Sequence, residues 1–261
     1  MMSKPYSSYK KINSFERSNL NEKGRKRGRD LWQAQIGHVG RLVNIKYERC
    51  LAGVLRGTRS VKMPVVAFVG HSYIRRMGEY VANHPSSKHS PPEVNWRYIG
   101  IGGASVDPER HDWRNVFHYI PQISALRPVV ILIHIGENDL GRLLPHEILH
   151  NIVILVNRLA ISCRPARIVV GQMFDFPNNR AWSDASKYIN DELFKYWRGE
   201  ANQPLPTRVQ FWRQKVGVFG PEAASHFIDG VHLDDRTMGR YVASNGTITS
   251  RCYNAARREQ Q

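Results

Sequence analysis

Four short blocks of the sequence place hydroxyl, imidazole, carboxylate and amide side chains after apolar runs or before a helical stretch. They are Gly70-His-Ser-Tyr73, Gly100-Ile-Gly-Gly-Ala-Ser105, Gly136-Glu-Asn-Asp139 and Asp229-Gly-Val-His232. A serine hydroxyl, an imidazole and a carboxylate are the groups that nucleophilic acyl transfer requires. Taken singly, each block is also ordinary local chemistry, such as a helix cap, a tight glycine turn or an Asn-Asp turn. A catalytic interpretation therefore depends on whether the fold brings the blocks together.

Five apolar runs rich in β-branched residues predict buried parallel strands. Two stretches of helical periodicity, His146–Leu159 and Trp182–Arg198, lie between the later runs. Alternating strands and helices predict βαβ units and a flavodoxin-like α/β/α sandwich of about five parallel strands, spanning residues 63–250. Sites in such sheets form at the carboxyl ends of the strands, which is where the first three blocks fall. The predicted strands are 64–69, 94–99, 129–135, 167–173 and 208–212.

The four blocks, in this order, resemble the SGNH (GDSL) hydrolase superfamily over roughly residues 64–247. The string ending in Gly-His-Ser72 is similar to the family's strand followed by Gly-Asp-Ser. The segments ending in Gly103 and Asp139 resemble the second block and the Gly-x-Asn-Asp block, and Asp229-Gly-Val-His232 resembles the Asp-x-x-His block. The resemblance implies a serine esterase or acyl hydrolase that needs no cofactor. The string GHSYIRR over 70–76 also looks like the branch of this superfamily that animal retroelements encode.

The resemblance also implies a role for each matching residue. Ser72 would be the nucleophile, His232 the general base, and Asp229 the carboxylate that orients the imidazole. The oxyanion hole would consist of the backbone N–H groups of Ser72 and Gly103 and the side-chain amide of Asn138. One such donor typically lowers the barrier by roughly 3–4 kcal/mol.

Two positions in these blocks leave choices open. Gly102 is an alternative to Gly103, which we prefer because it ends its block directly before the small residue Ala104. His71 stands where the family has Asp, and this departure bears on loop geometry and substrate preference more than on the triad. Its imidazole either satisfies a loop carbonyl, the interpretation we favour, or lies as a second imidazole beside Ser72.

A competing motif, His146-Glu147-Ile-Leu-His150, matches the H-E-x-x-H signature of zinc metallopeptidases. The longer metzincin signature is missing, because Val153 stands where that signature has glycine. A third zinc ligand is not evident either. We therefore interpret His146 and His150 as surface or helix-start residues and keep the metallopeptidase as a remote alternative.

Positive charge is concentrated before the predicted hydrolase domain. The chain has 38 Lys/Arg and 22 Asp/Glu, and residues 1–62 hold 15 and 4 of these, a net charge of +11. We predict a disordered basic tail over 1–30, a basic extension over 31–62, the hydrolase domain over 63–250 and a C-terminal tail over 251–261. Clustered basic residues contact phosphates, so the alternative function is a catalytically weak SGNH-like domain that serves as a nucleic-acid-binding or scaffolding protein through this tail. The candidate contacts are Lys23, Arg25, Lys26, Arg27 and Arg29.

The remaining features concern the compartment. Cys50, Cys163 and Cys252 are far apart and show no C-x-x-C spacing, which is typical of free thiols in a reducing environment. No apolar run reaches about 18 residues, so no transmembrane helix is predicted. Met1 to Asn21 lacks the apolar core of a secretory signal. Together these features predict an intracellular protein, cytoplasmic or nuclear, that is not secreted.

Overall fold

The sheet and helices come from a computed structural model that describes residues 63–87, 91–176, 178–197, 208–216, 223–259 and 261. The predicted basic tail, the basic extension and Cys50 lie outside these residues.

Five parallel strands form one sheet, which confirms the predicted architecture. Their order is β2-β1-β3-β4-β5, the order of flavodoxin-like sheets. All neighbouring pairs are parallel, so every strand ends at the same edge of the sheet. The strands are β1 (Val65–Gly70), β2 (Asn95–Gly100), β3 (Val130–His134), β4 (Arg167–Gly171) and β5 (Val209–Trp212).

Helices cover both faces of this sheet and complete a three-layer sandwich. Helices α3 and α4 pack on one face, together with the short α2, and bury the larger apolar cluster. Helices α1 and α5 pack on the other face over a second cluster. The helices are α1 (Ser72–Asn83), α2 (Ile120–Ala125), α3 (Pro145–Ser162), α4 (Arg180–Trp197) and α5 (Asp235–Arg258).

Strand β1 shows why the predicted strands are continuous apolar runs. Ala67 and Val69 pack into the cluster under α3, and Val66 and Phe68 pack into the cluster under α1 and α5. Because both faces of a central parallel strand are covered, no position along it is free for a polar side chain.

Two strands end in glycine where the backbone of a neighbouring segment comes very close. A Cβ atom on Gly70 would lie 2.0 Å from the carbonyl oxygen of His134. A Cβ atom on Gly100 would lie 2.3 Å from the backbone nitrogen of Arg75. Gly70 lets the end of β1 lie directly against the end of β3, and Gly100 lets the first turn of α1 lie directly against the end of β2, which together fix the position of Ser72.

The last helix extends the fold past residue 250, into the region predicted as a C-terminal tail. Helix α5 runs to Arg258, and Cys252, Tyr253 and Ala256 on it are buried. The reason is tertiary packing, since Cys252 and Tyr253 belong to the apolar cluster shared with α1. Cys163 and Cys252 are both buried free thiols.

No helix within the described residues is long and apolar enough to cross a membrane.

The close approach at Gly70 predicts a large effect of a single methyl group. We expect Gly70→Ala to lower the free energy of unfolding by about 3 kcal/mol, because the methyl group meets backbone atoms that cannot rotate away. Gly102→Ala is the matched control, since a Cβ atom added there would have no neighbour within 4 Å. We expect it to change stability by less than about 0.5 kcal/mol. Urea unfolding of both variants measures the difference, and equal stabilities would contradict the close approach.

Candidate active site

Ser72 lies at the carboxyl end of the central strand β1. The strand ends at Gly70, His71 is the N-cap, and Ser72 is the first residue of α1. The side chain of Ser72 is half-buried, while His71 beside it is only 3% exposed. A hydroxyl at this edge of the sheet is accessible and sits where ligands bind in open α/β sheets.

Asp229 and His232 form a hydrogen-bonded pair in the turn before α5. The Asp229 Oδ2 and His232 Nδ1 atoms lie 2.6 Å apart, and Asp229 Oδ1 accepts the backbone N–H of His232 at 2.7 Å. The hydrogen bonds from His232 hold the pKa of the Asp229 carboxyl well below its usual range. The carboxylate is therefore ionised at neutral pH and fixes Nδ1 as the protonated nitrogen, which leaves Nε2 free to accept a proton.

Tyr73 ties this turn to the start of α1. Its hydroxyl donates a hydrogen bond to the carbonyl oxygen of Val231, and its ring lies 6.4 Å from the ring of His232. The residues next in sequence to Ser72 and His232 are thus in direct contact. Among the described residues no hydrogen bond joins Ser72 to His232; the Ser72 hydroxyl lies 3.4 Å from Nδ1 of His71 instead.

Gly103 occupies a turn that follows β2. The turn closes with a hydrogen bond of 3.0 Å from the backbone N–H of Ala104 to the carbonyl of Ile101. Gly103 has a φ of 68°, a left-handed conformation that favours glycine, and Gly102 does not. This requirement gives a backbone reason for glycine at position 103.

Asn138 and Asp139, in the block Gly136–Asp139, form hydrogen bonds to the segment that directly follows Gly103. The side-chain amide of Asn138 donates to the carbonyl of Ala104 at 3.0 Å. The buried carboxylate of Asp139 accepts hydrogen bonds from the hydroxyl of Ser105 and from the backbone N–H of Val106. Burial raises the pKa of Asp139 in spite of these hydrogen bonds. Asn138 and Gly103, two predicted oxyanion donors, therefore belong to neighbouring loops at one edge of the sheet.

A buried network that the sequence did not reveal lies behind Ser72. In it the His71 ring bonds to the Glu137 carboxylate and lies beside Ser72, so the favoured interpretation that it satisfies a loop carbonyl is wrong. The Glu137 carboxylate lies 2.8 Å from His71 Nε2 and 2.6 Å from His134 Nε2, and it also accepts the backbone N–H of Phe174 at 3.3 Å. His134 Nδ1 lies 2.7 Å from the hydroxyl of Tyr241 on α5. Two signals in the sequence pointed here: the imidazole at position 71 and a second imidazole three residues before Glu137. Neither could be paired with the other without the sheet register.

Glu137 is ionised in this network. Burial alone would raise its pKa, but the charge interactions and hydrogen bonds of His134 and His71 outweigh burial and hold the pKa of Glu137 well below its usual range. A carboxylate that is 5% exposed and accepts hydrogen bonds from three donors fixes the relative positions of the segments that supply them.

The H-E-x-x-H residues are not arranged as a metal site among the described residues. His146, Glu147 and His150 are all exposed on α3, and the Glu147 carboxylate instead accepts the backbone N–H of Leu144 at 2.8 Å as a helix cap. In the described part of the chain, His71, His134 and Glu137 are the group of three whose potential ligand atoms lie within 4.8 Å of one another.

Solved structures that are similar to this chain include GDSL-type lipases and esterases. A member of the lipolytic G-D-S-L family from Veillonella parvula is 17% identical, with 72% of this chain and 97% of that chain covered and a TM-score of 0.50. A carbohydrate esterase family 3 protein from Talaromyces cellulolyticus is 13% identical, with 74% and 99% covered and a TM-score of 0.53. A GDSL-like lipase from Bacteroides thetaiotaomicron is 17% identical, with 77% and 93% covered and a TM-score of 0.52.

No protein-family model matches the sequence, and no curated protein matches it. At these identities the structural similarity shows the fold. It confirms the predicted α/β sandwich, which these GDSL-type structures share.

The depressed pKa of Glu137 predicts how acid destabilises the fold. Because the folded pKa lies below the unfolded one, the carboxylate stabilises the fold above about pH 4.3, and this contribution is lost as the pH falls below that value. We expect Glu137→Gln to lower the free energy of unfolding by about 1–3 kcal/mol at pH 7, since an amide cannot accept from all three donors. The difference from the wild type should shrink between pH 5 and 3 in urea titrations.

Glu79→Gln is the control for that measurement. Glu79 is 56% exposed and pairs with Arg75 across one helical turn, so its removal should change stability by less than about 1 kcal/mol at any pH. A Glu137 variant that behaves like the Glu79 variant would contradict the buried ion network.

Proposed function

We propose that this chain, which has the SGNH hydrolase fold, is a serine esterase or acyl hydrolase with a Ser72–His232–Asp229 triad. The observation that carries the proposal is the contact between Tyr73 and Val231, because it tethers the Asp229–His232 pair to the start of the helix that Ser72 begins. The ionised Asp229 and its hydrogen bond to Nδ1 of His232 support the assignment of His232 as general base. The lipases and esterases that share the fold support ester hydrolysis as the reaction class.

The reaction follows from the chemistry of these groups. His232 accepts the proton of Ser72 through Nε2 as the serine oxygen attacks the ester carbonyl, and it returns the proton to the departing alcohol. Asp229 stabilises the imidazolium that forms in between. Water then hydrolyses the acyl-serine with His232 acting as base again. Because the hydroxyl and imidazole are not yet hydrogen-bonded, the alignment of Ser72 with His232 would be completed when substrate binds.

Negative charge develops on the carbonyl oxygen during both steps. The backbone N–H groups of Ser72 and Gly103 and the amide of Asn138 would donate hydrogen bonds to it. Asn138 is exposed, and its amide already lies next to the Gly103 turn. Preorganised donors of this kind need no reorientation when the charge forms, which is why they lower the barrier.

We propose in addition that the basic segment before residue 63 binds polyanions such as nucleic acid. The supporting observation is its net charge of +11, from 15 Lys/Arg and 4 Asp/Glu. Binding of this kind depends on counterion release and so weakens steeply as salt is added.

The esterase proposal predicts hydrolysis of short-chain aryl esters by the purified protein. We expect Ser72→Ala to abolish it and His232→Ala to lower kcat/KM by at least about 10²-fold, with thermal unfolding unchanged in both. Asn138→Ala should lower kcat by about 10²-fold with little change in KM, because the amide acts on charge that forms in the transition state. A wild type as inert as Ser72→Ala across acetyl to octanoyl esters would contradict the proposal.

His150→Ala is the matched histidine control for these variants. The side chain is exposed on α3 and should leave hydrolysis unchanged. Metal analysis of the wild type and of this variant by mass spectrometry addresses the remote metallopeptidase alternative. Stoichiometric zinc that disappears with His150→Ala would favour that alternative over the esterase.

The polyanion proposal predicts salt-dependent binding of single-stranded RNA and DNA that requires five basic residues. We expect replacement of Lys23, Arg25, Lys26, Arg27 and Arg29 by Gln to weaken binding and to flatten the plot of log affinity against log salt. The control replaces five exposed basic residues of the hydrolase domain by Gln. Equal losses for the two sets would contradict a dedicated role of the basic segment. The control residues are Arg75, Arg180, Lys187, Lys195 and Arg240.

A further inference from the structure

The nucleophile candidate has an imidazole beside it that the proposed triad does not use. Nδ1 of His71 lies 3.4 Å from Oγ of Ser72, and Nε2 of the same ring lies 2.8 Å from Glu137 Oε2. The Ser72 hydroxyl, the His71 imidazole and the Glu137 carboxylate thus form a chain of two contacts, with the imidazole between the other two groups, as in a Ser-His-Asp triad. His71 is 3% exposed and Glu137 is 5% exposed, so of these three residues only Ser72 is accessible to solvent.

The hydrogen-bond network fixes which nitrogen of His71 carries the proton. An ionised carboxylate only accepts hydrogen bonds, so the nitrogen that faces Glu137, Nε2, is the donor. In the neutral ring Nδ1 is then left with a lone pair, and it is Nδ1 that faces the Ser72 hydroxyl. Glu137 therefore prepares His71 to accept a proton from Ser72, in the way that Asp229 prepares His232.

The same three residues do not have the geometry of an occupied metal centre. The two nitrogen–oxygen distances, 2.8 and 2.6 Å, are those of direct hydrogen bonds. Ligand atoms about 2.0–2.2 Å from a shared ion at tetrahedral angles would stand farther apart than this. The backbone N–H of Phe174 also points at the carboxylate, where it would oppose a cation. Proton transfer along hydrogen bonds is the chemistry that this cluster suits.

We propose that His71, oriented by Glu137, is a second general base for Ser72 and works independently of His232. The proposal deepens the esterase function and rests on it. It makes His71 a catalytic residue, since its Nδ1 contacts the reacting oxygen.

The O–H bond of Ser72 breaks, and its proton goes to Nδ1 of His71. The oxygen forms a bond to the ester carbonyl carbon, and the carbonyl π pair moves onto the carbonyl oxygen. When the intermediate collapses, that pair restores the C=O bond, and the bond to the leaving oxygen breaks with its electrons on that oxygen. His71 gives the proton to the leaving oxygen or, when a stable aryl oxide departs, to water.

Several titratable groups surround His71 and share its environment. His134 is the last residue of β3, and Glu137 follows that strand. Tyr73 lies on α1, with its ring 4.7 Å from the His71 ring. Tyr241 on α5 contacts the network through His134. Burial raises the pKa of both tyrosines well above the usual range, so they stay neutral. Glu137 is therefore the group that stabilises a positive charge on His71.

The experiment removes His232 and asks what still activates Ser72. An aryl ester is the probe because its leaving group departs as a stable anion, so the first, acyl-forming burst needs a base and no acid. Stopped-flow bursts are compared for the full-length wild type, Ser72→Ala, His232→Ala, and His232→Ala combined with His71→Gln or Glu137→Gln. Glutamine at position 71 keeps an amide donor for Glu137 and removes the basic nitrogen. His232→Ala with His84→Gln is the matched control, because His84 is exposed at the end of α1.

We expect His232→Ala to keep a burst that is about 10²-fold slower than that of the wild type. Adding His71→Gln should slow it at least a further tenfold, toward the Ser72→Ala level, and adding Glu137→Gln should slow it similarly. The His84 control should leave it unchanged. Equal bursts with and without His71 would overturn the proposal, and so would a His232→Ala protein as inert as Ser72→Ala.

A second measurement keeps the proposal testable if a variant fails to fold. Long-range ¹H–¹⁵N NMR of the intact wild type should show the neutral form of His71 as the Nε2–H tautomer, and an Nδ1–H tautomer would overturn the proposal. The two failures are distinguishable. A wild type without any Ser72-dependent ester hydrolysis, in the burst or in the steady state, removes the esterase function and this inference together. An active wild type whose His232→Ala burst is the same with and without His71 removes the inference alone.

Discussion

The buried carboxylate of Glu137 is the constraint on which the rest of the site depends. An ionised group that is 5% exposed is costly unless its oxygens are hydrogen-bonded, and here three donors from three segments supply those bonds. His71 comes directly after β1, His134 is the last residue of β3, and Phe174 follows β4. A contact between His134 and Tyr241 extends the network to α5. Any movement of one strand end against another would leave part of this carboxylate unpaired.

The block Gly136–Asp139 therefore positions two parts of the candidate site. Glu137 holds the residue before Ser72, while Asn138 and Asp139 hold the turn that contains Gly103. The Asp229–His232 pair is held differently, by its own turn and by one contact with Tyr73, and the His232 side chain is 24% exposed. The imidazoles of His71 and His232 consequently lie in different environments, one buried inside the protein and one partly exposed to solvent.

Much of the fold was predictable because buried parallel strands are uniformly apolar. All five strands were predicted within one or two residues, and the largest deviation has a cause in tertiary packing. Strand β4 was expected to reach Met173 but ends at Gly171, because the side chain of Asn190 takes both the N–H and the carbonyl of Met173 at 2.9 Å. An apolar pattern cannot show that a side chain from a helix will take the backbone hydrogen bonds that a neighbouring strand would otherwise make.

The sequence by itself determined the order of the elements, the approximate bounds of the strands and the Asp229–His232 pair, whose two members are three residues apart and meet within one turn. Only the tertiary structure decided the partners of His71. It lies 66 residues from Glu137 in the sequence, and the register of β1 against β3 brings the two together. The physical reason is the distance in sequence over which each signal acts. Periodicity and turn chemistry depend on residues close together in the chain, whereas contacts between side chains at different strand ends depend on how the whole sheet is assembled.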